Sequence, residues 1–199
     1  MLILAAKPGQ LCNRMLVLSH FIAFSLEYDV TVSCHVLDEY CDFFEGPRYG
    51  LKIKGKSVSH FFDKSDFVRH QLFEFFRIQS KTLRKSNIND LFLIKNIHLQ
   101  NDEELFLMND EQHLTELTSK KLFFLSGWLF RTKGLIEKHR DFITSYFTPL
   151  KTFRDNAENA VLPLKMISKP LSEYTSDEEI IKIFLAANIF MNLRHTNLQ

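Results

Sequence analysis

The sequence predicts an α/β fold, and three observations near the amino terminus carry that prediction. A short apolar run over residues 1–6 stops at Pro8-Gly9. A long apolar segment over residues 15–26 follows. A run with β-branched residues at alternate sites then occupies residues 29–36. Strand, polar turn, helix and strand in that order make the opening βαβ unit of a parallel sheet. In such sheets the turn after the first strand lies at the carboxyl edge, where ligands bind.

Each element has its own reason. Leu2-Ile3-Leu4-Ala5 is too short for a helix that must end at Pro8-Gly9, so it reads as a buried strand. From Asn13 to about Tyr28 the helix is apolar on nearly every face, with Arg14, Ser19, His20, Ser25 and Glu27 as exceptions, so it must be covered on more than one side. Residues 29–36 form the second strand. Residues 37–50 read as irregular, punctuated by Gly46-Pro47 and Gly50, and Gly55 ends another loop.

From about Ser57 the pattern turns helical, with Phe61, Phe62, Val68, Leu72, Phe75, Phe76 and Leu83 at three- and four-residue steps. Lys64, Arg69, Arg77, Lys81, Arg84 and Lys85 form the opposite face, read as solvated and basic. Residues 91–94, 97–99 and 105–108 look like strand, and Asn109-Asp110 caps a short helix reaching Leu117. Residues 121–125 make a further buried strand, ending at Ser126-Gly127-Trp128-Leu129-Phe130-Arg131. A helix over residues 135–147 stops before Pro149. Beyond Phe153 periodicity weakens until Ser176-Asp177-Glu178-Glu179 starts a last helix over 180–191. No glycine follows Gly134, so this region offers no obvious second nucleotide-binding turn. The expected architecture is a Rossmann-like parallel sheet flanked by helices over residues 1–150, with a helical carboxyl-terminal appendage over 151–199.

Composition bounds the function. A 199-residue chain with 45% hydrophobic and 25% charged residues is ordinary for a globular protein with a real core. Its twenty phenylalanines point to a core of bulky rings. A formal net charge of +1 argues against nucleic acid as a partner. Three cysteines, Cys12, Cys34 and Cys41, make neither a disulfide framework nor a spaced metal motif, which suits a reducing compartment. No apolar stretch is long enough for a membrane span, and Pro8, Gly9 and His20 interrupt any signal-peptide pattern, so a cytoplasmic location is expected.

Gly9-Gln10-Leu11-Cys12-Asn13-Arg14 contains one glycine. It is neither a Walker loop nor a dinucleotide fingerprint. Its helix N-terminus would offer N–H groups to an anion, with Asn13 and Arg14 projecting nearby. Equally, Asn13 can be a helix cap and Arg14 a surface charge. His35, Asp38, Cys41 and Asp42 are clustered, but their spacing fits no standard zinc pattern, and no metal is expected. A nucleophilic pair of Cys12 or Cys34 with His20 has only sequence proximity behind it. Trp128 and Phe130 can be a sugar-stacking platform or core, and His139 and Arg140 read as an exposed helix end.

Gly9-Gln10-Leu11-Cys12-Asn13-Arg14-Met15, after a first strand and opening an apolar helix, resembles the Gly-x-Leu-Gly-Asn-Gln/Arg-Met/Leu motif of the fucosyltransferase-like glycosyltransferases. That group includes the bacterial α1,2-fucosyltransferases and the protein O-fucosyltransferases. Ser126-Gly127-Trp128-Leu129-Phe130-Arg131, the helix after it and Phe147-Thr148-Pro149 resemble the end of the first half of bacterial members, in the same order. The similarity covers residues 1–150. It implies the first half of a GT-B architecture, lining the acceptor side of a cleft, with GDP-fucose as donor and a glycan hydroxyl as acceptor, without a metal. Asn13 and Arg14 would be the catalytic positions, and Gly9, Gln10, Trp128 and Arg131 would contact substrate.

Two departures stand out. Cys12 replaces the second glycine of the motif. The His-x-Arg-x-Gly-Asp segment that neutralises the nucleotide phosphates in the family's second half has only a distant echo in Asn192-Leu193-Arg194-His195. The chain therefore reads as a glycosyltransferase-like first half with a divergent or truncated tail. The alternative is a catalytically inactive remnant or a glycan- or protein-binding module.

Overall fold

The computed structural model describes residues 1–59, 65–86, 90–99 and 105–155. The expected helix over 180–191, the Asn192–His195 echo, and Phe61, Phe62 and Lys64 lie outside the described residues. The chain divides into two units, Met1–Thr148 and Pro149–Gln199. In the second, residues 151–155 are helical, opened by bonds from the Phe153 and Arg154 N–H groups to the Leu150 carbonyl at 3.0 and 3.1 Å.

The first unit is α/β. Its main sheet has the order β4-β3-β2-β1-β7-β5. The strands are β1 (Leu2–Leu4), β2 (Val32–Ser33), β3 (Lys52–Lys54), β4 (Ser57–Ser59), β5 (Ile94–His98) and β7 (Leu122–Ser126). The four strands β2, β1, β7 and β5 are parallel, and β3 and β4 extend the sheet as an antiparallel hairpin. A two-stranded parallel ribbon pairs β6 (Phe106–Leu107) with β8 (Phe130–Arg131). This is the mostly parallel, helix-flanked sheet that the βαβ opening implies.

Ile3 and Ala5 of the β1 segment pack with Phe124 and with Phe76 of α3 (Asp66–Lys85). α1 (Leu11–Tyr28) lies against β2, β3 and β8, and its Val17, Leu18, Phe21, Ile22 and Phe24 are fully buried. α1 is enclosed from two sides, as its all-round apolar character requires. On one, Ser25 Oγ donates to the Ile53 carbonyl at 3.4 Å and accepts from the Gly55 N–H at 3.2 Å. On the other, Glu27 holds Lys138 at 2.7 Å and His139 at 2.8 Å.

Successive turns of α3 touch successive strands. His70 meets Asp38 beyond β2 at 3.1 Å, and Phe73 lies under the Lys7 ammonium beyond β1 at 4.7 Å. Phe76 faces Phe124 of β7 at 6.4 Å, Ser80 donates to Asn96 of β5 at 2.9 Å, and Arg84 reaches His98 at 2.8 Å. The helix therefore crosses the strands and spans the sheet from β2 to β5.

Several boundaries differ from expectation. Residues 37–50 are not irregular: a 3-10 helix covers His35–Phe43 and α2 covers Glu45–Tyr49. Gly55 belongs to a hairpin turn, with Lys54 opposite Ser57. α3 starts at Asp66 rather than near Ser57, because Ser65 caps it by accepting from the Val68 N–H at 3.3 Å. β5 is one strand, and Leu91, Phe92 and Leu93 lie exposed before it. The helix over 135–147 breaks at His139 into α5 (Leu135–Lys138) and α6 (Arg140–Tyr146). α4 (Glu111–Leu117) forms as expected, its cap Asp110 accepting from the Glu111 N–H at 2.9 Å.

The phenylalanines divide. Phe21, Phe24, Phe123 and Phe130 are fully buried, whereas Phe67, Phe75 and Phe92 are exposed. The basic face of α3 is also not uniformly solvated. Arg69 is buried against Asp42 and Asp66, while Phe75 turns outward.

Candidate functional site

The order β2-β1-β7-β5 reverses direction between β1 and β7. From β1 the chain moves outward to β2, crosses to β5 at the far side, and returns inward to β7. Ligands in open α/β sheets bind outside the carboxyl ends of the strands at such a point. Here the Ala5 N–H donates to the Leu125 carbonyl at 2.7 Å. The segments starting at Gly9 and at Ser126 thus leave neighbouring strands at one edge, although the sequence between them is long.

The first turn is shaped by Gly9. Its φ of +57° is left-handed, and a Cβ there would lie 2.8 Å from Asn13 Nδ2. α1 begins at Leu11, with the extended Gln10 as its N-cap residue, so Asn13 sits inside the first turn and is not the cap. Gln10 and Asn13 are exposed, and Cys12 is half-buried. Gly9→Ala is expected to lower unfolding free energy by about 1 kcal/mol, the cost of left-handed backbone for a residue with a Cβ. A urea titration will measure it, and an unchanged midpoint would contradict the assignment.

Arg14 faces a different set of groups. Its Nε donates to the Gly9 carbonyl at 3.2 Å and its guanidinium pairs with Glu39, over the Tyr40 ring at 5.4 Å. A further N–H donates to the Val36 carbonyl at 3.4 Å. Lys7 pairs with Asp38 at 2.6 Å and lies 3.8 Å from Glu39. The two cations of the turn are therefore neutralised by two carboxylates of the 3-10 helix.

The second segment holds a separate pair. Trp128 is half-exposed, and the Arg131 guanidinium lies 5.8 Å from its ring centroid. Arg131 also donates to the Trp128 and Phe130 carbonyls at 2.7 and 2.8 Å. Burial pushes the Arg131 pKa below its ordinary value. Phe130 is no platform. It is fully buried, 5.6 Å from the Phe21 ring and 5.3 Å from Phe106. Next to Arg131, the Thr132 N–H donates to Nδ1 of the buried His20 at 3.0 Å.

A third group was not singled out from sequence. His98 ends β5 opposite Ser126, which ends β7. His98 Nδ1 lies 2.7 Å from Ser126 Oγ, and Arg84 lies 2.8 Å from His98 Nε2. A guanidinium only donates, so Nε2 accepts and Nδ1 carries the hydrogen. His98 therefore donates to the serine and does not act as its base. Burial and the Arg84 charge both lower the His98 pKa, in keeping with a neutral ring. Ser126 closes an apolar run, but His98 follows Lys95 and Asn96 in a mixed strand, so the pair carries no sequence signal until the two strands are known to be neighbours.

The remaining candidates separate into structural roles. Asp38 holds Lys7 and His70, Asp42 holds Arg69, the Cys41 thiol points at the Leu37 and Asp38 carbonyls, and His35 meets Ser33 and the Phe76 ring. Among the described residues no three His, Cys, Asp or Glu side chains converge as metal ligands. Burial pushes the Cys34 thiol up to about 12 and raises Cys12 as well, so neither is a ready thiolate. His139 is not an exposed helix end but the half-buried partner of Glu27. No helix among the described residues is long and apolar enough to cross a membrane. Compared with known proteins, the chain has no significant match among family models, curated proteins or solved structures.

Proposed function

We propose that the chain is of the glycosyltransferase type, with fucose passing from GDP-fucose to a glycan hydroxyl with inversion, and that its first unit lines the acceptor side of the cleft. One observation carries this reading. The two segments that resemble the fucosyltransferase-like family, starting at Gly9 and at Ser126, leave adjacent parallel strands at the reversal point of the sheet. In a direct displacement the acceptor hydroxyl attacks the anomeric carbon as the bond to the diphosphate breaks. The chemistry asks for a positioned hydroxyl and for cations near the leaving group. Asn13, exposed beside Gly9, is suited to orient the hydroxyl. GDP release from GDP-fucose with a mixed glycan acceptor tests it. Asn13→Ala is expected to lower turnover about a hundredfold, the usual cost of losing a positioning contact. Absence of turnover by the wild-type protein would reject the reading.

A second reading is a glycan- or protein-binding module without transfer. It is favoured by the ion pairs of Lys7 with Asp38 and Arg14 with Glu39, which occupy the cations nearest the first turn. Saturable glycan binding without GDP-fucose turnover would select it.

A further inference from the structure

Among the described residues Lys7 pairs with Asp38, Arg14 with Glu39, Arg69 with Asp42, Arg77 with Glu74, Lys95 with Glu116 and Lys121 with Asp90. Arg84, among the same residues, is held by a ring. Its guanidinium is anchored at the carboxyl edge by the neutral imidazole of His98, which takes up one N–H and no charge. The tautomer fixed by that bond makes Ser126 Oγ an acceptor from His98, leaving the serine hydroxyl hydrogen to donate elsewhere. Gly127 follows with φ +132°, where a Cβ would sit 2.8 Å from Leu99 Cβ, so the exits of β7 and β5 are drawn close together. Arg84 is exposed, His98 half-buried and Ser126 buried, so the three descend from solvent into the strand ends.

We infer that Arg84, His98 and Ser126 form an oxyanion-binding corner, taking a carboxylate or phosphate group of a ligand at the carboxyl edge of β5 and β7. The guanidinium supplies charge and paired donors, the serine hydroxyl supplies a directed donor, and the imidazole orients both. His98 is a positioning residue. Replacing it by a carboxylate would neutralise the arginine in the way that Asp38 and Glu39 neutralise Lys7 and Arg14. The inference does not use fucosyl transfer, so the outcome of the GDP-fucose assay leaves it standing or falling on its own test.

That test follows the His98 ring resonances of the full chain by NMR during titration with inorganic phosphate, glucuronic acid and glucose. A saturable shift with phosphate or glucuronic acid, and none with glucose, is expected, and the stronger of the two names the source of the oxyanion. Arg84→Gln should weaken the response at least about tenfold, as expected for loss of a charge-assisted contact. Ser126→Ala should weaken it less, and Lys81→Gln, at an exposed lysine on the same helix, should leave it unchanged. The inference is overturned if neither oxyanion gives a saturable shift, if glucose matches them, or if Lys81→Gln and Arg84→Gln lose the same amount.

Discussion

Gly46→Ala is expected to destabilise the protein by about 3 kcal/mol or more, an overpacking cost at the upper end of the usual range. Propensity alone predicts the opposite sign. Gly46 lies inside α2, where alanine is favoured over glycine by about 1 kcal/mol. Sterics decide the matter. A Cβ on Gly46 would be driven into the Tyr146 ring and would lie 2.6 Å from the Tyr146 carbonyl oxygen. Tyr146 cannot step aside cheaply, because it is buried and its hydroxyl donates to the Gly50 carbonyl at 3.1 Å. Beside it the Glu45 N–H donates to the Thr148 carbonyl at 2.9 Å, fixing α2 against the end of α6 from the backbone as well. Urea unfolding of the variant should show a much lower midpoint. In a Tyr146→Ala background the penalty should shrink but persist, since the carbonyl stays. A Gly46→Ala protein as stable as the wild type would mean that α2 and α6 do not pack in this way.

What the sequence could disclose depended on the range of the signal. β1 and α1 were legible because their patterns are local: an apolar run stopped by Pro8-Gly9, then a segment apolar on every face. The 3-10 helix over His35–Phe43 was not, since its stability comes from contacts made at a distance. Asp38 reaches Lys7 and His70, and Asp42 reaches Arg69. Long-range pairing also acts on α3. Periodicity assigns its residues to faces, yet Asp42 holds Arg69 inward and Phe75 is left outside. The break at His139 likewise rests on Glu27, far back in the chain.

The site followed the same rule. The Gly9 turn is legible because a glycine between an apolar run and a helical pattern is a local signal, although α1 starts at Leu11, two residues before the expected Asn13. The environment of Arg14 was not, because Glu39 and Val36 come from the segment beyond β2. The group of Arg84, His98 and Ser126 could not be seen at all before the sheet order was known. It is a product of register, His98 beside Ser126 across a parallel pair, and of a helix that crosses the strands far enough to bring Arg84 to them.

His20 makes the stability of the first unit depend on pH in a calculable direction. A backbone N–H can only donate, so the 3.0 Å bond from Thr132 N fixes Nδ1 as an acceptor and puts the ring hydrogen on Nε2. Protonating Nδ1 would set two hydrogens against each other in a buried place. Burial first, and the nearby Arg131 charge second, lower the pKa from 6.5 to about 4. Above the unfolded value of 6.5 both states are neutral and the full stability is present. As pH falls from 6.5 towards about 4, the unfolded chain binds the proton and the native chain does not, so stability falls. Below that window the loss is complete, at about 3 kcal/mol. Carboxylates add their own acid sensitivity, so the decisive comparison is with His20→Gln, whose amide oxygen can accept the same N–H without titrating. Urea midpoints measured between about pH 7 and pH 4 should fall more steeply for the wild type than for the variant. Equal slopes would mean that the ring takes up its proton in the folded protein as readily as in the unfolded chain, and that its bond to Thr132 does not hold it neutral.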